Sequence, residues 1–418
     1  MNILIIDDLL IFEKAWADSP KKAAFFRLMG ENFRRRLFLA KEFENLGANV
    51  LLARIEPTQT DTESAFIYRE SSGISQVFVP VKVKGLKRLY TKELLAFCAG
   101  LSDNFKSLSG LFKPDVVIAA GVLPFCAAAA AKIAESAGAV LITELSCSPA
   151  ELLKRLGLCS ALDPVLMLIN RSLKTVFKKS DAVIGLFPDA HLRFQNARGL
   201  YPMFSPAFYE EKPPSDEAKQ QKENLSAFGE GSTFVLACPL PLESGFFLEE
   251  LITVCSGFGN KFALVFLAEG SSKNALRRFI SEKGITNVYF SDAIKPEDMS
   301  FVLSAADGIF LSENYYTKGL SAESELFFSA FCAGKPIIAG AEHLCELFRK
   351  SGGTIITKPR NRDSTRLGIK TLMDMSLSDK EALGLSCKTF GEQNSKKDFA
   401  LDYYSLMDNL VKQKEIKQ

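Results

Sequence analysis

The chain has 418 residues, enough for two domains each with its own core, and 47% hydrophobic with 24% charged residues is the composition of a folded globular protein, not a disordered one. The 51 basic and 49 acidic residues leave a formal charge of +2, so no overall field marks a nucleic-acid binder. Nine cysteines without CxxC spacing and only two histidines, His191 and His343, argue against a metal cage and for a reducing cytoplasm.

The opening run MNILIIDDLLIFEKAW is interrupted by Asp7 and Asp8 and has no basic stretch before it, so it reads as a first strand and not as a signal sequence. Short β-branched runs then alternate with helical stretches, the pattern of βα units and a parallel sheet. In the first half, strands are expected near 2–6, 49–54, 115–119, 139–143 and 182–185. RRRLFLAKEFENLG reads as a helix ending at a glycine cap, with Arg34, Arg35 and Arg36 on a solvated face, and TKELLAFCAGLSDNFKSLSGLF carries apolar residues at helical spacing. The alanine-rich FCAAAAAKIAESAGAVLI is broken by Lys132 and Glu135, which makes it a helix followed by a strand and not a membrane span.

Residues 208–232, FYEEKPPSDEAKQQKENLSAFGEGS, are polar, charged and broken by Pro213 and Pro214, as expected of an exposed linker. A second βα series follows, with strands near 233–238, 262–267, 287–290, 307–311, 336–339 and 354–356. The expected organisation is therefore an N-terminal Rossmann-like domain over 1–207, the linker, and a C-terminal Rossmann-like domain over 233–392. A final amphipathic helix over 393–418 has apolar positions near 399, 401, 404, 406 and 410, packs back on the first domain and trails off in LVKQKEIKQ. Within the second series, SAESELFFSAFCAGKPIIAG reads as a loop, a helix, and a turn through Gly334 and Pro336 into a strand.

Four passages carry a resemblance. KPDVVIAAGVLPFCAAAAAKIAESAGAVLITEL, LKTVFKKSDAVIGLFPD, FALVFLAEGSSKNALRRFISEKGITNVYFSDAIKPEDMSFVLSAADGIFLS and FCAGKPIIAG follow one another in the order and spacing of the GT-B glycosyltransferases. The chain resembles the retaining, bacterial cell-surface polysaccharide branch of that family, with departures at its active-site motifs. The resemblance implies an α/β architecture of two Rossmann-like domains facing across a cleft. It implies hexosyl transfer from a nucleoside diphosphate donor of UDP or GDP type to a glycan, lipid or protein acceptor, with no metal or other cofactor. In such an enzyme a helix start offers backbone N–H groups to the diphosphate. The helix opening near Ser321 is the candidate, preceded by Leu320 as a further donor-side residue; Gly319 and Gly270 give room for a close backbone approach, or Gly270 only turns a strand into a helix. Lys318 either neutralises the departing diphosphate or is a solvated loop lysine.

The departures are specific. The family sets two glutamates with seven residues between them, and their places here hold Ser321 and Ser329; the neighbouring Glu323 and Glu325 either substitute for them or are solvated first-turn acids. The family's Arg and Lys after the first strand of the second domain have no counterpart in ACPLPLESGFFLEEL. On the acceptor side the family's histidine is missing; Asp7, Asp8, Gly121, Glu144 and Glu151 are the residues left there. Glu151 either positions an acceptor hydroxyl or complements a helix dipole, and Asp7 and Asp8 either face the cleft or serve a cap or turn. His191 and His343 face the cleft or are structural. These losses keep open a second reading, a catalytically inactive scaffold acting as a partner subunit or glycan-binding module. FRLMGENFRRRLFLAKEF and PVLMLINRSLKTVFKK either pack on the sheet or make a peripheral contact with the inner face of the membrane.

Overall fold

The computed structural model describes residues 1–7, 34–58, 67–71, 74–82, 112–120, 124–145, 164–185, 200–202, 213–229, 233–243, 245–314, 324–342, 345–394 and 396–417. They divide into two compact units, one built on Met1–Ser205 with Lys397–Gln418, the other on Pro206–Lys318 with Ala322–Lys396.

The first unit is a sheet of eight strands: β1 (Asn2–Asp7), β2 (Asn49–Thr58), β3 (Ile67–Ser71), β4 (Ile74–Lys82), β5 (Val116–Ala120), β6 (Val140–Leu145), β7 (Ala182–Gly185) and β8 (Leu200–Pro202). Their order is β3-β4-β2-β1-β5-β6-β7-β8, and every neighbouring pair is parallel except the β3–β4 hairpin. The inner strands are continuous apolar runs, VVIAA in β5 and VLITEL in β6, buried at every position as parallel strands covered on both faces must be. Helices α1 (34–45), α2 (Pro124–Ala137) and α3 (Pro164–Lys179) run between strands. α1 ends as expected at Gly47, whose φ of +87° suits a residue without Cβ.

The second unit holds α4 (Asp216–Ala227), β9 (Phe234–Cys238), α5 (Leu248–Ser256), β10 (Phe262–Phe266), α6 (Lys273–Glu282), β11 (Val288–Phe290), α7 (Met299–Leu303), β12 (Gly308–Ser312), α8 (Ser324–Cys332), β13 (Ile337–Gly340), α9 (Cys345–Lys350), β14 (Thr354–Thr357), α10 (Arg362–Asp374) and α11 (Leu377–Gln393). The strand order is β11-β10-β9-β12-β13-β14, all parallel. Phe327, Phe328 and Phe331 of α8 and Phe246, Leu248, Leu251 and Ile252 around the start of α5 are buried core, as their helical spacing predicts.

One device recurs in both sheets. Asp115, Asp181 and Asp307 each precede a strand, and each accepts a backbone N–H of the neighbouring strand: Asn2 at 2.7 Å, Leu141 at 2.8 Å and Val235 at 2.8 Å. The same aspartates donate their own N–H back to the carbonyls of Asn2, Leu141 and Val235. The two-way bond fixes register at the N-terminal edge of each sheet, which explains the acids of PDVV, SDAV and ADGI.

Three observations differ from the sequence expectation. Strands β3, β4 and β8 join the first sheet although the sequence reading has no strand there. The stretch expected as exposed linker contains α4, whose N-cap Ser215 accepts from the N–H of Ala218 and whose Ala218 and Leu225 are buried. Asp298 ties it to the second unit by accepting from the Ser215 hydroxyl at 2.8 Å. The C-terminal helix (Lys396–Lys417) continues through the stretch expected to trail off, and its buried stripe is Phe399, Ala400, Tyr403 and Met407, while Leu401 is 47% exposed. Tyr403 meets Phe43 of α1 edge to face at 5.6 Å between ring centres.

Candidate functional site

In an open parallel sheet, ligands bind beyond the carboxyl ends of the strands, where the winding order reverses. In the first unit that point lies between β1 and β5. Asp7 is the last residue of β1, in register with Ala120 of β5, which is in register with Glu144 of β6, so the two acids flank one edge position. Arg35 Nη2 donates to Glu144 Oε1 at 2.7 Å, Arg36 Nη1 donates to Asp7 Oδ1, and Arg36 Nε lies 3.8 Å from Glu144 Oε1. The Tyr403 hydroxyl donates to Glu144 Oε2 at 3.4 Å. All five side chains are essentially closed to solvent. Burial holds the Tyr403 phenol well above its ordinary range, and the Glu144 charge beside it acts in the same direction.

This corrects the reading of Arg34, Arg35 and Arg36 as a solvated face: Arg34 is exposed, but Arg35 and Arg36 are buried. The signal was in the spacing. Arg36 leads the buried stripe Leu39, Ala40 and Phe43 of α1 at helical intervals, so it must turn inwards with them. Two guanidinium groups then need two carboxylates, because an unpaired buried charge is far more costly than a paired one. Of the other acceptor-side candidates, Asp8, Gly121 and Glu151 lie outside the described residues, as does His191.

In the second unit the order reverses between β9 and β12. The carboxyl end of β12 runs into Ser312, Glu313 and Asn314, all buried, and Glu313 Oε2 accepts the N–H of Glu342 at 3.3 Å. The following residues 315–323 lie outside the described set, and with them Lys318, Gly319, Leu320, Ser321 and Glu323, as does His343; Ser324 then opens α8. Glu325 is buried in the first turn of α8. Ser329 is 2% exposed and its hydroxyl donates to the Glu325 carbonyl at 2.8 Å, one helical turn back. The structure thus brings Glu325 and Ser329 together along α8.

Gly270 follows β10, and a Cβ there would lie 2.2 Å from the Leu242 carbonyl oxygen. The bond from Ser272 N–H to that oxygen at 2.8 Å and the bond from Leu242 N–H to Glu269 at 3.0 Å lock the two loops together. The close backbone approach that makes Gly270 a glycine is therefore one loop against another at the carboxyl edge of the sheet.

The sequence reading missed a basic residue at this edge. Among the described residues, Phe247 and Arg360 are the two non-glycine positions with positive φ, at 54° and 57°. They touch: the Arg360 guanidinium carbon lies 5.0 Å from the centre of the Phe247 ring. Phe247 belongs to the loop after β9, the passage that has no cation of its own, and Arg360 comes to it from the loop after β14. With Ser312 and Gly340 they line a hollow at the carboxyl ends of β12 and β13. Two left-handed residues meeting in one place is local backbone strain of the kind that clusters at ligand sites. Only chain folding joins KPRNRD to GFFLEE, so no motif could show it.

Among the described residues no group of three His, Cys, Asp or Glu side chains could hold a metal ion. No described helix is long and apolar enough to cross a membrane.

Two α/β units, one on a wholly parallel sheet and one on a sheet parallel except at its β3–β4 hairpin, are the components of the GT-B fold. The whole chain superposes on solved structures of that class. A sucrose-phosphate synthase from Thermosynechococcus elongatus aligns with a TM-score of 0.64 at 12% identity, over 98% of this chain and 99% of the other. A trehalose-6-phosphate structure from E. coli bound with UDP-2-fluoro glucose aligns at 0.62 and 12%, over 97% and 99%. Anabaena HepE in complex with UDP and glucose aligns at 0.58 and 14%, over 98% and 99%. At such identities the likeness establishes the fold. No family model and no curated protein sequence matches the chain.

Proposed function

We propose that this chain is a glycosyltransferase that takes a sugar from a nucleoside diphosphate of UDP or GDP type and passes it to a glycan, lipid or protein acceptor. The observation that carries the reading is the carboxyl edge of the second sheet at the β9–β12 reversal, where α8 begins and Arg360 meets Phe247. The UDP and UDP-2-fluoro glucose of the similar structures support the same donor chemistry.

The departing diphosphate gains negative charge as the glycosidic bond breaks, and fixed positive charge beside it lowers the barrier. Backbone N–H groups at the start of α8, with Gly319 and Leu320, cradle the phosphates, and Lys318 and Arg360 neutralise them. Arg360 thereby stands in for the cations missing from ACPLPLESGFFLEEL. Ser321, Glu323 and Glu325 contact the ribose and the sugar, and Ser329, whose hydroxyl bonds back to the Glu325 carbonyl, supports them from within α8. On the first unit, Asp8, Gly121 and Glu151 receive the acceptor. Asp7 and Glu144 shape that edge through their ion pairs with Arg36 and Arg35. The reading needs no metal, and it sets the protein in bacterial polysaccharide synthesis at the cytoplasmic face of the membrane.

A second reading, a GT-B scaffold without turnover acting beside a partner glycosyltransferase subunit, draws on the same pairing of Asp7 and Glu144 and on Ser329 in a glutamate place. Incubation with UDP-glucose and with GDP-sugars, followed by assay of released nucleotide, separates them. Slow donor hydrolysis that Lys318→Ala abolishes supports transfer; no release from any donor, with or without glycan acceptors, supports the scaffold.

A further inference from the structure

The outer face of α3 is a row of exposed cations in a helix without acids; α10 also exposes a row, Arg362, Arg366 and Lys370, but carries Asp363 and Asp374 in the same helix. α4, α9, α11 and the C-terminal helix each pair a lysine with an acid of the same helix: Lys219 with Asp216, Lys350 with Glu346, Lys388 with Glu392 and Lys412 with Asp408. PVLMLINRSLKTVFKK contains no acid at all. Of its four cations, Lys179 reaches Glu135 of α2 at 2.7 Å. Arg171, Lys174 and Lys178 are exposed and make no ion pair among the described residues. Spaced by three and four residues, they stand in one row, where like charges destabilise a helix. Met167, one turn before Arg171, is 75% exposed and heads the row. Among the described side chains of α3, Leu173, Val176 and Phe177 are buried on the opposite side, so the row is not the face by which these residues pack.

We propose that this row is a docking surface for an anionic lipid leaflet, with Arg171, Lys174 and Lys178 on the headgroups and Met167 entering the interface. The inference builds on the membrane-face reading above and is independent of sugar transfer. From Met167 to Lys178 the row is straight and about 16 Å long, which suits a flat, diffuse negative surface. Each cation held near such a surface strengthens binding roughly fivefold. A single-stranded nucleic acid would call for aromatic platforms, and the exposed described residues of α3 include no aromatic side chain.

The full chain is sedimented with vesicles of phosphatidylcholine containing phosphatidylglycerol, and with phosphatidylcholine alone, without donor or acceptor. The account expects binding to the anionic vesicles only, weakened by salt. Arg171→Glu, Lys174→Glu and Lys178→Glu together should lower it on the order of a hundredfold or more, and Met167→Ser alone several-fold. A control triple at exposed positions of the second unit, Arg278→Glu, Lys283→Glu and Lys370→Glu, makes the same charge change and should retain most of the binding. If the first triple does not fold, the glutamine versions replace it. Equal binding by both triples, equal binding to both vesicle types, or no vesicle binding alongside retention of an oligonucleotide through the same three residues overturns the proposal. Donor hydrolysis is read separately, so failure here leaves the transferase reading standing, and the reverse.

Discussion

Arg35 and Glu144 stand 2.7 Å apart with side chains 1% exposed, joining the first helix to the carboxyl end of the sixth strand. A pair so deep contributes little net energy while intact, but removal of one partner strands the other's charge. Glu144→Ala is expected to cost about 3–5 kcal/mol, read by urea denaturation. The double variant Arg35→Met with Glu144→Met should recover most of that loss, a non-additivity that identifies the pair as a unit. A Glu144→Ala protein of unchanged stability would contradict it.

The Tyr403 hydroxyl is the link from the C-terminal helix to the same acid, at the long distance of 3.4 Å. Tyr403→Phe keeps the ring against Phe43 and removes only this bond, so the expected loss is about 1 kcal/mol. Deletion of the ring in Tyr403→Ala should cost about 3–5 kcal/mol. If the two variants lose the same amount, the ring packing described here is not what holds the helix.

Cys387 supplies a test in pH. Burial pushes its thiol up to about 11 from the ordinary 9.0, against hydrogen bonds from Ser351 and Thr354 that act to lower it. The unfolded chain ionises first, so this contribution is complete below pH 9 and is lost as pH rises towards 11. The two-unit gap corresponds to roughly 2–3 kcal/mol. In Cys387→Ala the decline of stability across that window should be shallower by this amount, whatever the effect on stability at neutral pH. Parallel declines in the two proteins would show that the thiol does not titrate as described.

Gly270 and Gly284 make a matched comparison. An added methyl at Gly270 meets the Leu242 backbone, while at Gly284, with φ +62°, nothing lies within 4 Å. Gly270→Ala should cost about 1–3 kcal/mol through overpacking and weaken nucleotide binding by moving the loop edge. Gly284→Ala should cost about 1 kcal/mol through backbone strain alone and leave nucleotide binding unchanged. Equal effects on nucleotide affinity would remove Gly270 from the site.

Much of the fold was legible because parallel strands buried on both faces must be continuous apolar runs, as in VVIAA and VLITEL. β3 and β4 escaped because their sequences mix charge, serine and a proline, as a hairpin at the rim of a sheet permits. The helix α4 was hidden by its own solvated face, since Ala218 and Leu225 alone carry its packing. At the site, Gly270 was readable as a close approach but not against what. Arg35, Arg36 and Tyr403 were not legible as one cluster, because Arg36 bonds Asp7 across 29 residues while Arg35 and Tyr403 bond Glu144 across 109 and 259. Arg360 was missed for the same reason: its contact with Phe247 is a product of the sheet order.

Nucleotide binding is tested by a calorimetric titration of the purified chain with UDP and with GDP, supported by thermal unfolding at each nucleotide concentration. The account predicts saturable binding of at least one of them, weakened about tenfold by Lys318→Ala or Arg360→Ala and changed no more than about twofold by Ser329→Ala, each charge-assisted bond being worth on the order of 1.5–3 kcal/mol. A micromolar site at millimolar ligand would raise stability by about 4 kcal/mol. Absence of heat and of any thermal shift with either nucleotide, from a protein shown to be folded, would contradict it.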